Sequence, residues 1–156
     1  MIKEKVKNIL IKVSGDLIKN QEALDFIKKL SKTNYVVVLC GGGRQITKAF
    51  ERKNLKFKFG PAGRETDFSG RRLTREVLEQ NQRQLRNKFV VERGINVNIE
   101  IPIIYLGGIM CPVNGDELII AAYNGFDIIY IITTKERVAQ KEEKFRKFPK
   151  IIVKGV

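Results

Sequence analysis

Four short groups of residues in this chain have the types and spacing to handle a phosphate. Lys12 lies just ahead of Ser14-Gly15, and Gly41-Gly42-Gly43 forms an unbroken glycine run. Arg64-Glu65-Thr66-Asp67 follows the loop Gly60-Pro61-Ala62-Gly63, and Asn114-Gly115-Asp116 stands ahead of an apolar stretch. Glycine-rich turns expose bare backbone amides to an anion, above all where a helix begins. A lysine beside two such turns supplies a point charge for a phosphoryl group. Arg64 can present a bidentate fork to a carboxylate or phosphate, with Asp67 orienting it. Asn114 can hydrogen-bond an acceptor while Asp116 positions cationic groups such as Lys12. Phosphoryl transfer is mostly positioning and charge neutralisation, so no paired carboxylates are required. Each group also has a plain structural reading: tight turns for the glycines, a strand-end lysine, helix caps for Asn114 and Asp116, and a surface ion pair for Arg64. The glycine run has neither the Walker spacing nor the dinucleotide fingerprint.

These groups acquire meaning from the elements that hold them. Val6–Val13 reads as a strand, Gln21–Lys32 as a helix with Ala23, Leu24, Ile27 and Leu30 on one face, Tyr35–Cys40 as a buried strand and Arg44–Lys53 as a helix. Strand, helix, strand, helix favours parallel pairing with right-handed crossovers. In such a sheet the strand ends on one edge share a crevice, so Lys12, the Ser14 and Gly15 amides and the Gly41, Gly42 and Gly43 amides should converge there. Beyond the 59–63 loop, Ser69–Arg93 reads as a long polar helix. Val97, Ile99 and Ile101 alternate, and Ile103–Leu106 with Cys111-Pro112-Val113 predicts two short strands or one bent one. Asp116–Tyr123 fits a helix capped at Gly125, Ile128–Ile132 a buried strand, and Thr133–Val156 a charged loop with a short strand at Ile151–Val153. Residues 1–156 are expected to form a single α/β domain.

Composition narrows the chemistry. Of 156 residues, 43% are hydrophobic and 30% charged, a balance that supports a buried core. There is no histidine, and Cys40 and Cys111 lack metal-ligand spacing, so a zinc site and a histidine base are both excluded and no metal site is expected. No apolar run is long enough to span a bilayer and no signal-peptide core opens the chain, which predicts a cytoplasmic protein with no membrane partner. The net charge is +13, yet residues 97–134 hold no Lys or Arg at all, which predicts a buried, slightly acidic centre. A basic exterior attracts small anionic substrates or nucleic acid, although no zinc-finger, RNP or basic-region spacing is present.

Taken together, these residues resemble the amino acid kinase superfamily, which includes acetylglutamate kinase, aspartokinase, carbamate kinase and uridylate kinase. IKVSGDLI looks like that family's first nucleotide-phosphate motif, and VVVLCGGGRQITKAF is similar to the acetylglutamate kinase segment in which a triple glycine follows a strand. GRETD resembles the arginine motif that holds a substrate carboxylate, and VNGDELIIAAYNGFDIIYIIT resembles the Asn-Ala-Asp motif with Gly115 in place of alanine. The resemblance implies a three-layer α/β/α sandwich with a mostly parallel central sheet, ATP with magnesium, and transfer of the γ-phosphoryl to a carboxylate (acetylglutamate-like) or nucleoside monophosphate. It implies that Lys12 contacts the transferring phosphate, that Gly15, Gly41, Gly42 and Gly43 cradle it, that Arg64 and Asn114 hold the acceptor, and that Asp116 organises the catalytic lysines. It also implies a homodimer or larger assembly paired through the 69–93 helix by Leu73, Val77, Leu78 and Phe89. The chain departs from the pattern in three places. Thr133-Thr134-Lys135 stands where the family has Thr-Asp-Val, the stretch between Gly94 and Asn114 reads as lacking a helix and a hairpin, and the C-terminal part that supplies the second catalytic lysine and most of the adenine site is not matched. Lys135, Lys141 and Lys144 are the candidates to replace that lysine. The alternative reading is an inactive relative that persists as an anion-binding or assembly module.

Overall fold

The structure, a computed structural model, describes residues 5–156. Along the chain run β1 (Asn8–Val13), α1 (Gln21–Ser31), β2 (Tyr35–Cys40), α2 (Gly43–Arg52), β3 (Lys58–Gly60), β4 (Gly63–Glu65), α3 (Phe68–Arg86), β5 (Asn98–Glu100), β6 (Ile103–Leu106), β7 (Ile109–Pro112), α4 (Gly115–Ala121), β8 (Ile128–Thr133), α5 (Val138–Phe145) and β9 (Ile151–Gly155). NILIKV, YVVVLC and IIYIIT carry apolar side chains on both faces, which suits strands covered on both sides. They form the heart of a five-stranded sheet of order β5-β2-β1-β8-β9, parallel throughout.

Alternation along the strands divides the core. Ile9, Ile11, Val36 and Val38 pack on one face against Ala23, Leu24 and Ile27 of α1 and against Leu85 and Phe89. Leu10, Leu39, Ile129 and Ile131 pack on the other against Ile119 of α4 and Phe145 of α5. The result is a three-layer α/β/α sandwich. A third apolar cluster joins α2 to α3 through Ile46, Phe50, Leu73 and Leu78. From β1 the chain crosses to β2 on one side, and from β8 it crosses to β9 on the other. The carboxyl ends of β1 and β8 therefore flank the point where the winding direction reverses, the place where open α/β sheets leave a crevice.

Several expectations need correction. The C-terminal charged loop contains a helix, α5, ahead of β9. The 59–63 loop is the turn of the β3–β4 hairpin. The long helix is α-helical only to Arg86 and then widens into a π-turn over Asn87–Val91. α4 ends at Ala121 and is followed by a 3₁₀ turn at Tyr123–Gly125, so Gly125 is not its cap. Leu73, Leu78 and Phe89 point into the chain's own core and so cannot form a pairing face. A hairpin is present between Gly94 and Asn114, namely β6–β7. Its strands stand away from the sheet with Tyr105 57% and Ile109 69% exposed, so 97–134 is not a buried centre throughout. No helix among the described residues is long and apolar enough to cross a membrane.

Candidate active site

The carboxyl ends of β1, β2 and β8 open into a cleft of about 860 Å³. Lys12, Ser14, Gly15, Gly41, Gly42, Gly43, Arg64, Asn114 and Asp116, all singled out by residue type and spacing, line it. The two glycine turns touch. The Gly41 N–H donates to the Val13 carbonyl at 2.9 Å. A Cβ on Gly15 would come within 2.8 Å of both the Gly41 oxygen and the Gly42 Cα, so no larger residue fits there. Two amides not foreseen from the sequence fix this contact. Gln45 Nε2 donates to the Gly15 carbonyl at 2.6 Å, and Asn81 Nδ2, buried on α3, donates to the Gly41 carbonyl at 3.1 Å. They occupy carbonyl oxygens that would otherwise face an incoming anion. Gly42 caps α2 without a side chain, and the Ser14 hydroxyl makes no capping bond to the 3₁₀ turn that follows. The first amides of both turns are therefore left without side-chain partners, the condition under which a helix start attracts anions.

Asp116 lies across the cleft at the start of α4, buried, and gathers three lysines. Lys12 Nζ donates to its Oδ1; Lys141 Nζ and Lys144 Nζ lie 2.5 Å and 3.2 Å from its Oδ2. Lys141 and Lys144 are three residues apart on α5, a spacing that puts both on one helix face. Of the three candidate replacements they reach Asp116, whereas Lys135 packs against Gly155. Burial favours the neutral form of Asp116, but the charge and hydrogen bond of Lys12 and the hydrogen bond of Lys141 prevail and hold its carboxyl well below the usual range. Burial lowers the Lys12 ammonium below the ordinary lysine value, and repulsion from Lys141 and Lys144 adds to it against the attraction of Asp116. On Lys144 the attraction of Asp116 and Glu117 outweighs burial and raises its pKa. Lys12 lies close over Gly115, where a Cβ would come within 2.9 Å of Lys12 Cε and push the flexible lysine end aside.

The Arg64 side of the cleft is built differently. Arg64, on β4, stacks over Phe57 with its guanidinium carbon 4.0 Å from the ring centre and lies within 5.2 Å of the Phe50 and Phe59 rings. Its Nη2 donates to Thr47 Oγ1 at 2.9 Å and to the Gly43 carbonyl at 3.3 Å, while Nη1 is buried and unpaired. Burial lowers its pKa. Asp67 does not orient it; that carboxylate caps α3 by accepting from the Gly70 N–H at 2.9 Å. Asn114 Oδ1 caps α4, accepting from the Asp116 N–H at 2.9 Å, so its structural reading holds for the oxygen and only its amide nitrogen faces other partners. Cys40 is buried in β2, where burial pushes its thiol up to about 12 and leaves it inert.

The donor set of lysines, arginine and bare amides suits phosphate oxygens. Among the described residues no three acidic or cysteine side chains gather into a metal site, and Asp116 is occupied by lysines.

No protein-family model matches this chain, and no curated protein matches it. Among solved structures it is similar to smu.665 from Streptococcus mutans UA159, with a TM-score of 0.67 at 17% identity over 89% of this chain and 83% of that one. The likeness establishes the fold. It shows the α/β architecture as one shared with a solved protein over most of both chains.

Proposed function

We propose that the cleft transfers a phosphoryl group from ATP to an anionic oxygen acceptor, either a carboxylate of the acetylglutamate type or a nucleoside monophosphate. The observation that carries this reading is the meeting of three lysines on one buried aspartate with two touching amide turns at the switch point of the sheet. In the reaction an acceptor oxygen bonds to the γ-phosphorus while the bond from phosphorus to the ADP oxygen breaks. Both acceptors arrive as anions, so no proton has to be removed. That fits a histidine-free chain whose buried carboxylate is held ionised and occupied by lysines.

The residues divide the work by position. Lys12 meets the transferring oxygens, and Lys141 and Lys144 lie on the same carboxylate, where they can offset charge on the leaving side. The amides of Gly15, Gly41, Gly42 and Gly43 receive the phosphate chain, and Ser14 offers a free hydroxyl beside them. Arg64 and the Asn114 amide nitrogen face the acceptor. Asp116 touches no reacting atom and acts as the positioning residue for the lysines.

Titration calorimetry with Mg·ATP tests the reading, followed by ADP release with acetylglutamate and uridine monophosphate as acceptors. Micromolar binding abolished by Lys12→Ala is the expected result, and absence of heat at any workable concentration overturns it. One observation favours the second reading, an anion-binding module without chemistry: the Nη2 of Arg64 is already engaged by Thr47 and Gly43. In that case pyrophosphate or RNA binds with a steep salt dependence and no ADP is ever released.

A further inference from the structure

We propose that the β6–β7 hairpin is a self-association face on which a second copy of this chain pairs strand to strand, with Tyr105 on the two-fold axis. The inference stands apart from the phosphotransfer reading and rests on three features of the hairpin.

The first is exposure without charge. Ile104, Tyr105, Leu106 and Ile109 are 37%, 57%, 64% and 69% exposed. From Ile101 to Val113 there is no Asp, Glu, Lys or Arg in a chain of net charge +13. Exposed strand edges are ordinarily guarded by lysine, proline or a bulge, and β6 carries none of these. The second is an available backbone edge. Gly107 and Gly108 both have positive φ, 56° and 80°, as a two-residue type I′ turn requires. In such a hairpin Leu106 and Ile109 share the first pair of backbone bonds. Tyr105 and Met110 therefore face each other without one, and the N–H and C=O of Tyr105 point to the free edge of β6. The β7 edge is less able to pair, because Pro112 has no N–H. The third is an incomplete sheet: β7 packs on α3 and Ile103 on the cluster between α2 and α3, but β6 and β7 form a sheet of only two strands, which gains from further ones.

Charge selects the occupant. Nucleic acid or an acidic protein finds no cation on this hairpin. Two copies at +13 repel one another, and the outward row of α3, with Arg72, Arg83 and Arg86 against Glu76, would set positive charge against positive charge. The hairpin adds no like-charge contact of its own, so it is a face on which a second copy meets the least repulsion. The strand is also self-complementary: antiparallel pairing about Tyr105 lets each Tyr105 N–H donate to the carbonyl of the partner's Tyr105. It sets Ile104 beside the partner's Leu106, giving a four-stranded sheet.

Light scattering and sedimentation equilibrium of the full chain over a concentration series provide the test. The expected species approaches twice the 17.9 kDa of one chain. Leu106→Lys, at a solvent-exposed position, should weaken the dimer by at least about tenfold with unchanged circular dichroism, and Arg83→Glu on α3 should not. Tyr105→Cys should cross-link under oxidation, because facing bonded residues lie about 5.5 Å apart at Cα, inside the roughly 4.4–6.8 Å that disulfides span. The unsubstituted chain should not cross-link, since Cys111 lies one strand further from the axis. A monomer at every concentration overturns the proposal. So does a dimer dissociated by Arg83→Glu and not by Leu106→Lys, or a dimer in which Tyr105→Cys fails to cross-link. A monomer that sediments with phosphatidylglycerol vesicles and loses that ability on Leu106→Lys overturns it in favour of a lipid surface.

Discussion

The two sides of the cleft hold positive charge in opposite ways. Around Asp116, Lys12, Lys141 and Lys144 share a buried carboxylate, so their positions are set by ionic bonds. Across the cleft Arg64 has no carboxylate; aromatic faces and neutral oxygens fix it. Lys12 and Lys141 depend on the one carboxylate of Asp116, while Lys144 has a second partner in Glu117. The arginine side is desolvated but electrically uncommitted, so an arriving anion is its natural counter-ion. On the proposed reading, the first side orders the lysines and the second receives the acceptor.

The severest break of this contrast is Asp116→Asn. It leaves Lys12 and Lys141 clustered without their counter-charge, with only Lys144 still paired, to Glu117, and removing one member of a buried ionic group costs about 3 kcal/mol or more. Urea unfolding at neutral pH reads the loss. The sign with pH follows from the depressed carboxyl. Its contribution is present above the ordinary aspartate value of 3.8 and disappears as pH falls through the lower folded value. Asp116→Asn should therefore lose less stability than the unsubstituted chain on acidification past 3.8.

Lys12→Ala comes next. Asp116 keeps Lys141 and Lys144, so the fold should survive while turnover falls by about 10²–10³-fold, the scale of a lost transition-state charge contact. Arg64→Lys sharpens the comparison from the other side. It keeps the charge but loses the fork and the ring stacking, so the acceptor KM should rise about tenfold with little change in ATP affinity. An equal loss for both substrates would contradict the division of the cleft. The smallest effect is expected of Gly115→Ala, which crowds Lys12 Cε. Turnover should drop by a few-fold and the melting temperature should barely move, because a flexible lysine end can shift aside.

How much of this was legible in the sequence depended on whether local pattern and tertiary demand agreed. β1, β2 and β8 are continuous apolar runs and α1 has a clean apolar stripe, so they could be read directly, and the convergence of both glycine turns on one edge followed from their topology. α5 could not be read because its inward row holds Lys141 and Lys144 among Val138 and Phe145. Those lysines face Asp116, and in doing so they erase the apolar periodicity that would have marked a helix. The three-residue strands β3 and β4 are too short to register as alternation. Asp67 was misassigned because an acidic residue near an arginine and a helix-capping residue look alike until the start of α3 is known. Gln45 and Asn81 gave no signal, since each acts on a carbonyl far along the chain. Leu73, Leu78 and Phe89 are hydrophobic among arginines, a pattern equally consistent with a core stripe and a partner face; the fold of α2 against α3 decides for the core.

The position of β1 has a consequence for how the molecule is made. Of the described strands it is the earliest in the chain, yet it lies in the middle of the sheet, with the Asn8 N–H donating to Asp127, 119 residues further on. A nascent chain can join β1 to β2 early but must carry the other edge of β1 open until β8 leaves the ribosome. Pairing over such a sequence distance is slow, and exposed strand edges invite association with neighbouring chains. Lys12 meets Asp116 only once the chain beyond α4 has been made, and Lys141 and Lys144 join them later still, with α5. A polypeptide that stops ahead of Asp116 therefore contains the amide turns without the lysine cluster.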